Sequence, residues 1–335
     1  HHWTEAGEAL RAATWHVRGA RWVRLTDLTA SRRHWTKARD LLVPLPDSSE
    51  RTRLLLEVYP ELINTLDRLG AQPAEAEAAY VEAIAVARHA ADRRAEALIE
   101  AVYGWLKTGH NDWPAVIEHA TRAMVLGDAE GDPPVQLFAR WALGRALAWK
   151  GRVHESERIY DQAAEIGGGD GGVDIEVLGW RVYVECLSIR SAVKSMLGRP
   201  REGLEFAEWL PALLRRSGLQ VDMAQPATDR VWACWILGDA DRARRYTGEA
   251  LRIGERFGTD RNVVYALAAC GIASCLGLRW DEGDGLFERA RQRISATGAG
   301  GEWGMLVDGY QALCLAGMGD RDRSFARHLG PRRAA

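Results

Sequence analysis

The stretch that decides the fold is Leu143-Gly144-Arg145-Ala146-Leu147-Ala148-Trp149-Lys150-Gly151-Arg152-Val153-His154-Glu155-Ser156-Glu157-Arg158-Ile159-Tyr160-Asp161-Gln162-Ala163. It reads as two helices joined by a glycine turn. Leu143, Gly144 and Leu147 place large, small and large residues on one face of the first helix. Beyond Gly151, the residues Ser156, Tyr160 and Ala163 follow at spacings of four and three, which puts them on one face of the second helix. Small residues let the two helices approach, and the aromatic fills the space left beside the next pair.

The same spacing recurs along the chain, and it resembles tetratricopeptide (TPR) repeats. Gly104, Trp113, Val116, Ala120 and Ala123 form one unit; Gly271, Trp280, Gly283, Phe287 and Ala290 form another. Gly238, Ala243 and Ala250 mark a third, with Tyr246 one place off the aromatic position. Ala76, Tyr80 and Ala83 mark an earlier unit, and Trp35, Ala38 and Leu42 the one before it. Gly198, Gly203 and Ala207 form a degenerate unit, Gly319 and Ser324 a last incomplete one, and Ala9 and Ala13 a partial one at the start. Taking the small residue of each second helix as 9, 38, 76, 116, 156, 203, 243, 283 and 324, the steps are 29, 38, 40, 40, 47, 40, 40 and 41. TPR units ordinarily repeat at about 34 residues, so the helices here are each longer by about one turn.

The expected fold is therefore all-α, a right-handed α-α superhelix of about eight helix-turn-helix repeats with a period of about 40 residues. A single solenoid is expected over 1–335. Residues 1–50 are expected to be N-terminal repeats that continue from an upstream module, and 328–335 a frayed tail. Residues 167–174 are expected to be an inter-repeat loop, because the glycines Gly167, Gly168, Gly169, Gly171 and Gly172 each cost about 1 kcal/mol in a helix relative to alanine. Pro60, Pro73, Pro114, Pro133, Pro134, Pro200 and Pro226 are read as marking turns or helix starts.

Composition limits what the chain does. Hydrophobic residues make up 47% and charged residues 27%, which suits a chain that forms a core in water. A formal charge of −2 argues against nucleic-acid binding through bulk positive charge. Only Lys37, Lys107, Lys150 and Lys194 are lysines, so arginine carries nearly all the positive charge. Cys186, Cys234, Cys270, Cys275 and Cys314 show no C-x-x-C spacing, and free buried thiols of a cytoplasmic protein are expected. No apolar run reaches the roughly 18 residues of a membrane span.

The chemistry-bearing residues form no recognisable constellation. No H-x-x-x-H pair, nucleophile elbow, dinucleotide fingerprint or phosphate loop occurs, so no catalytic residue, cofactor or metal is expected. His110-Asn111-Asp112 reads as a helix cap. The fourteen tryptophans say more. Trp35, Trp113 and Trp280 are assigned to one structural position, the turn entering the second helix. Trp105, Trp141, Trp149, Trp232 and Trp235 fall on first helices, at positions that line the concave groove of TPR-like superhelices, with Arg145 among them. Tryptophan and arginine most often anchor binding hot spots, so these six residues are the candidate partner-binding site; the alternative is that the lengthened helices bury these rings against a neighbouring first helix.

The opening segment, His1-His2-Trp3-Thr4-Glu5-Ala6-Gly7-Glu8-Ala9-Leu10-Arg11-Ala12-Ala13-Thr14-Trp15-His16-Val17-Arg18, followed by Arg33-His34-Trp35, Ala38, Leu41-Leu42 and Leu45-Pro46, resembles a particular join. It is similar to the passage from an AAA-like ATPase module into TPR-like repeats in bacterial class III adenylate/guanylate cyclase proteins. Related joins occur in ATP-dependent transcription activators of the LuxR and maltose-regulator type. The resemblance implies a non-catalytic regulatory scaffold, the C-terminal sensor arm of a cyclase–ATPase signalling protein, or else the corresponding arm of a transcription activator. It implies a protein or peptide partner, or the parent's own upstream ATPase and cyclase domains, and any enzymatic activity would belong to the parent.

Overall fold

The computed structural model describes residues 2–24, 26–69, 73–168, 175–216, 224–257, 260–297 and 303–329. Among these the chain forms α-helices and short connections, with no β-strand beyond one isolated bridge. After a single turn, α1 (His2–Glu5), the helices come in eight consecutive pairs. These are α2 (Ala9–Val23) with α3 (Leu28–Leu42), α4 (Ser49–Arg68) with α5 (Pro73–His89), and α6 (Arg93–Leu106) with α7 (Trp113–Glu130). Then follow α8 (Pro133–Trp149) with α9 (Val153–Gly167), α10 (Val182–Met196) with α11 (Pro200–Arg216), and α12 (Ala224–Leu237) with α13 (Ala240–Phe257). The last pairs are α14 (Asp260–Leu276) with α15 (Trp280–Thr297), and α16 (Trp303–Gly317) with α17 (Arg321–Leu329).

The chain divides into two compact units, one of His1–Ala146 with Ile175–Val182, the other of Leu147–Asp174 with Tyr183–Ala335. Within the first, α2 through α7 each pack on the next helix, and α2 also touches α4 and α4 touches α6. Within the second, α11 through α17 do the same, with α12 on α14 and α14 on α16. Within these runs α2, α4, α12 and α14 each pack on their own partner and on the next first helix, the nearest-neighbour logic of a solenoid.

The small-residue register explains the close pairing. A Cβ on Gly271 would lie 2.6 Å from the Phe287 ring, so the aromatic of α15 sits directly over the glycine of α14. Gly104 receives α7 in the same way, with His119 Cβ 2.8 Å from where its own Cβ would be. At the two ends of the chain the small residue is serine, and it also bonds across the pair. Ser31 Oγ donates to the Ala20 carbonyl at 3.2 Å, and Ser324 Oγ to the Ala312 carbonyl at 2.8 Å.

Those bonds correct the register of the first repeats. Ala9 opens α2, a first helix, so it is not a second-helix residue. In α3 the small position is Ser31, not Ala38, and the steps become 45, 40, 40, 47, 40, 40 and 41 from residue 31 onward. Trp35 then falls at the aromatic position, in line with Tyr80, Tyr160 and Phe287, and is fully buried inside α3. Trp113 and Trp280 do open their second helices, as expected. The error has a physical source: a tryptophan fits either site, since each needs only a large apolar ring.

Turn chemistry follows the residues. Asp112 caps α7 by accepting the Ala115 N–H at 3.2 Å, and Asn111 is left-handed at φ 57°. Gly151 closes α8 at φ 75°, with Arg152 N–H donating to the Leu147 carbonyl at 2.9 Å. Pro60 departs from expectation by lying inside α4, while Pro73, Pro114, Pro133, Pro134, Pro200 and Pro226 sit in first turns. A proline removes one backbone donor, and the long α4 of 20 residues retains enough other bonds to continue through it. Of the expected glycine loop, Gly167 ends α9 and Gly168 is its left-handed cap, while 169–174 lie outside the described residues. Of the expected frayed tail, 330–335 also lie outside them.

Candidate functional site

The first unit builds the floor of its site on α6 and α8. From α6 comes Trp105, and from α8 come Phe138, Trp141 and Arg145. Trp105 and Trp141 stack at 4.0 Å between ring centroids, inclined by 22°. Phe138 meets Trp141 edge-on at 5.4 Å, and the Arg145 guanidinium lies 5.6 Å from the Trp105 ring centre. All are core residues: Trp105 is 2% exposed, Trp141 1% and Arg145 7%. These three side chains were expected to line an open groove, and they are buried instead.

The reason is a short segment of the same chain. Residues 175–182 make a tight turn in which Val177 and Trp180 exchange both backbone hydrogen bonds at 2.8 Å. Leu178 and Gly179 both have positive φ, 53° and 82°, the pattern of a type I′ turn. Glycine adopts that conformation at no steric cost, whereas leucine pays roughly 1–2 kcal/mol for the clash of its Cβ. The turn lowers Trp180 onto the stack, 5.2 Å from Trp141 and 6.3 Å from Trp105. The Arg68 guanidinium, from α4, lies 5.9 Å from the Trp180 ring centre.

Polar groups on α2 and α4 hold the turn in place. Asn64, 2% exposed, uses both ends of its amide: Nδ2 donates to the Leu178 carbonyl and Oδ1 accepts from Trp180 Nε1, each at 3.0 Å. Arg24, just past the end of α2, pairs with Glu176 of the turn and with Glu61 of α4, the latter at 3.3 Å. Burial pushes the Glu61 carboxyl above the usual range, and the nearby Arg24 only partly opposes this. Beside the turn, Leu178 forms part of the wall of a cleft of about 730 Å³ between α4 and the start of α6, lined also by Arg53, Glu57, Asp92 and Arg94.

The sequence analysis named neither Trp180 nor Asn64. The signal for Asn64 was a polar residue on the buried face of a helix. Trp180 carried none beyond its type, because its partners Asn64, Arg68, Trp105 and Trp141 lie on other repeats, far away in sequence.

The other three candidate residues belong to the second unit. Trp149, Trp232 and Trp235 are half-buried. Trp232 and Trp235 pack on the core and share Tyr310, at 5.8 and 5.5 Å between ring centroids. They keep accessible ring surface, as a binding residue requires.

A second buried polar cluster, between α5, α6 and α7, was also not anticipated. Glu100, 1% exposed, accepts from Tyr80 Oη at 3.1 Å and lies 2.6 Å from His119 Nδ1. Tyr80 stacks on Tyr103 at 4.0 Å, and His119 sits edge-on to both rings. The cluster satisfies a buried carboxylate, and such fully paired networks fix one packing arrangement. The five cysteines are free thiols, four of them buried, with Cys275 Sγ 2.8 Å from Cys314 Sγ.

Comparison with solved structures places this architecture. The Rap protein complexed with Competence and Sporulation Factor is similar over 98% of this chain and 87% of its own, at a TM-score of 0.67 and 14% identity. Aspartyl phosphate phosphatase F from Bacillus subtilis is similar over 98% and 93%, at 0.61 and 11%. A tetratricopeptide repeat protein from Parabacteroides merdae ATCC 43184 is similar over 91% and 99%, at 0.53 and 12%. The fold is a TPR-like helical repeat. The sequence itself matches no family model and no curated protein. Among the described residues, no helix is long and apolar enough to cross a membrane.

Proposed function

We propose that the chain is a non-catalytic regulatory arm that binds a protein or peptide, and that it serves a multidomain cyclase–ATPase signalling protein of the cytoplasm. One observation carries the reading. Trp15 and Trp22, two helical turns apart on one face of α2, are 57% and 85% exposed. Large exposed aromatics at the edge of a repeat stack mark a surface built to be covered. The segment that carries Trp15 is also the one whose sequence resembles the ATPase–TPR join, so the adjoining module is the natural occupant. NprR, similar in structure at a TM-score of 0.55 and 12% identity, is described in complex with its cognate peptide NprX, which is consistent with a peptide-holding repeat. In this reading Trp149, Trp232 and Trp235 offer the partner contact of the second unit.

Two measurements test it. The reading frame upstream of His1 is expected to encode a class III cyclase domain and a phosphate-loop ATPase; an ATPase without a cyclase shifts the assignment to a transcription activator, and neither module overturns it. In the whole protein, hydroxyl-radical footprinting is expected to show Trp22 protected, and W15A/W22A to remove that protection from the adjoining module. Full labelling of Trp22 in the intact protein speaks against docking on α2.

A further inference from the structure

We infer that the Asn64–Trp105–Trp141 floor is a recognition site for a tight turn bearing a tryptophan and an acidic residue, and that residues 175–182 are its built-in, displaceable occupant. The inference deepens the peptide-holding reading above and rests on it.

The turn is seated as a ligand is seated. Asn64 reads a backbone carbonyl and an indole N–H at once, which specifies both the turn and the tryptophan that follows it. The Trp180 ring completes a three-ring cluster whose other two members belong to helices of the scaffold. Glu176 supplies the charge that Arg24 receives. Asn64 of α4 bonds the backbone and the indole N–H, the rings of α6 and α8 receive the Trp180 ring, and Arg24 at the end of α2 receives the charge, so every group that holds the turn lies outside it.

Two further features bear on displacement. Leu178 occupies a left-handed conformation that leucine disfavours, so the occupant is not the best sequence for its own seat. A competing turn with asparagine and glycine at these two positions would adopt the same geometry without the clash. Leu178 also walls an open cleft, so a competitor has a way in beside it. Affinity for an outside ligand is then reduced by the fraction of time the internal turn is seated.

The test uses the whole chain and a fluorescein-labelled peptide copying residues 174–182 with L178N, read by fluorescence anisotropy. W180A, which removes the occupant's anchor, is expected to bind the peptide at least tenfold more tightly than the wild-type chain. W180A/N64A is expected to lose at least tenfold of that affinity. Equal binding to wild type and W180A, no binding to a folded W180A, or indifference to N64A overturns the inference. If W180A loses its helical circular dichroism, hydrogen exchange on the wild-type chain decides. The Val177 and Trp180 amides are then expected to exchange at least tenfold faster than interior amides of α4 and α8, and matching rates would show a permanent structural element. Any of these failures leaves the docking surface on α2 untouched, since that is read by Trp22 footprinting alone.

Discussion

Single side chains in this protein are held by polar partners more than its apolar composition suggests. Glu100 is the clearest case: its carboxylate serves Tyr80 and His119 inside the first unit. Glu100→Ala strands both, and leaving a buried donor unpaired costs about 1–3 kcal/mol. The urea midpoint should fall accordingly, and an unchanged midpoint would mean water replaces the carboxylate. The Glu61 carboxyl is raised above its ordinary value by burial. A group raised in the folded state contributes stability below its unfolded value, and that contribution is lost as pH rises through the folded one. Glu61→Gln abolishes this loss and keeps an acceptor for Arg24. Relative to wild type, the variant should therefore gain stability between pH 4.5, the group's ordinary value, and pH 7. Urea midpoints at the two pH values check it, and a difference that is flat or reversed contradicts the assignment.

At the scale of elements, close approach does the work that a larger core does elsewhere. Phe287 fills the space that Gly271 leaves, so Gly271→Ala forces the ring away and should destabilise by about 1–3 kcal/mol, as overpacked cores do. Thermal denaturation of the variant reads this directly. Such pairings were legible in the sequence because glycine, aromatic and alanine recur at fixed offsets in Gly271, Phe287 and Ala290. The first repeats were less legible. Ala38 and Ser31 are both small residues on the buried face of α3, and only the Ser31 hydrogen bond to Ala20 separates them. The turn at 175–182 was not legible at all. Its central residues are Leu-Gly, and the usual hairpin signal is Asn-Gly or Asp-Gly. The stacking of Trp105 on Trp141, one first helix against the next, is the alternative that the sequence left open, and only the turn's share in their burial was not legible.

The whole molecule distributes its stability along the chain. Because each helix pair leans on its neighbours, weakening one pair should loosen its surroundings before distant ones. Hydrogen exchange on Gly271→Ala is expected to show faster opening in α13 to α16, with α2 to α7 little changed. Uniform acceleration over both units would show instead that the chain unfolds as one body. What the sequence carried at this scale was the repeat of about 40 residues. What it did not carry was the division into two units.

The long step between Ser156 and Gly203 is 47 residues where its neighbours are 40, and the surplus is close to the length of the seated turn. The extra length lies in one connection between repeats, so the ring that caps the Trp105–Trp141 stack comes from a connection and not from a repeat helix. A different connection of that length would change which ring and which carboxylate rest on Asn64 and Arg24 without a change in any helix sequence, much as a lock is rekeyed without replacing the door.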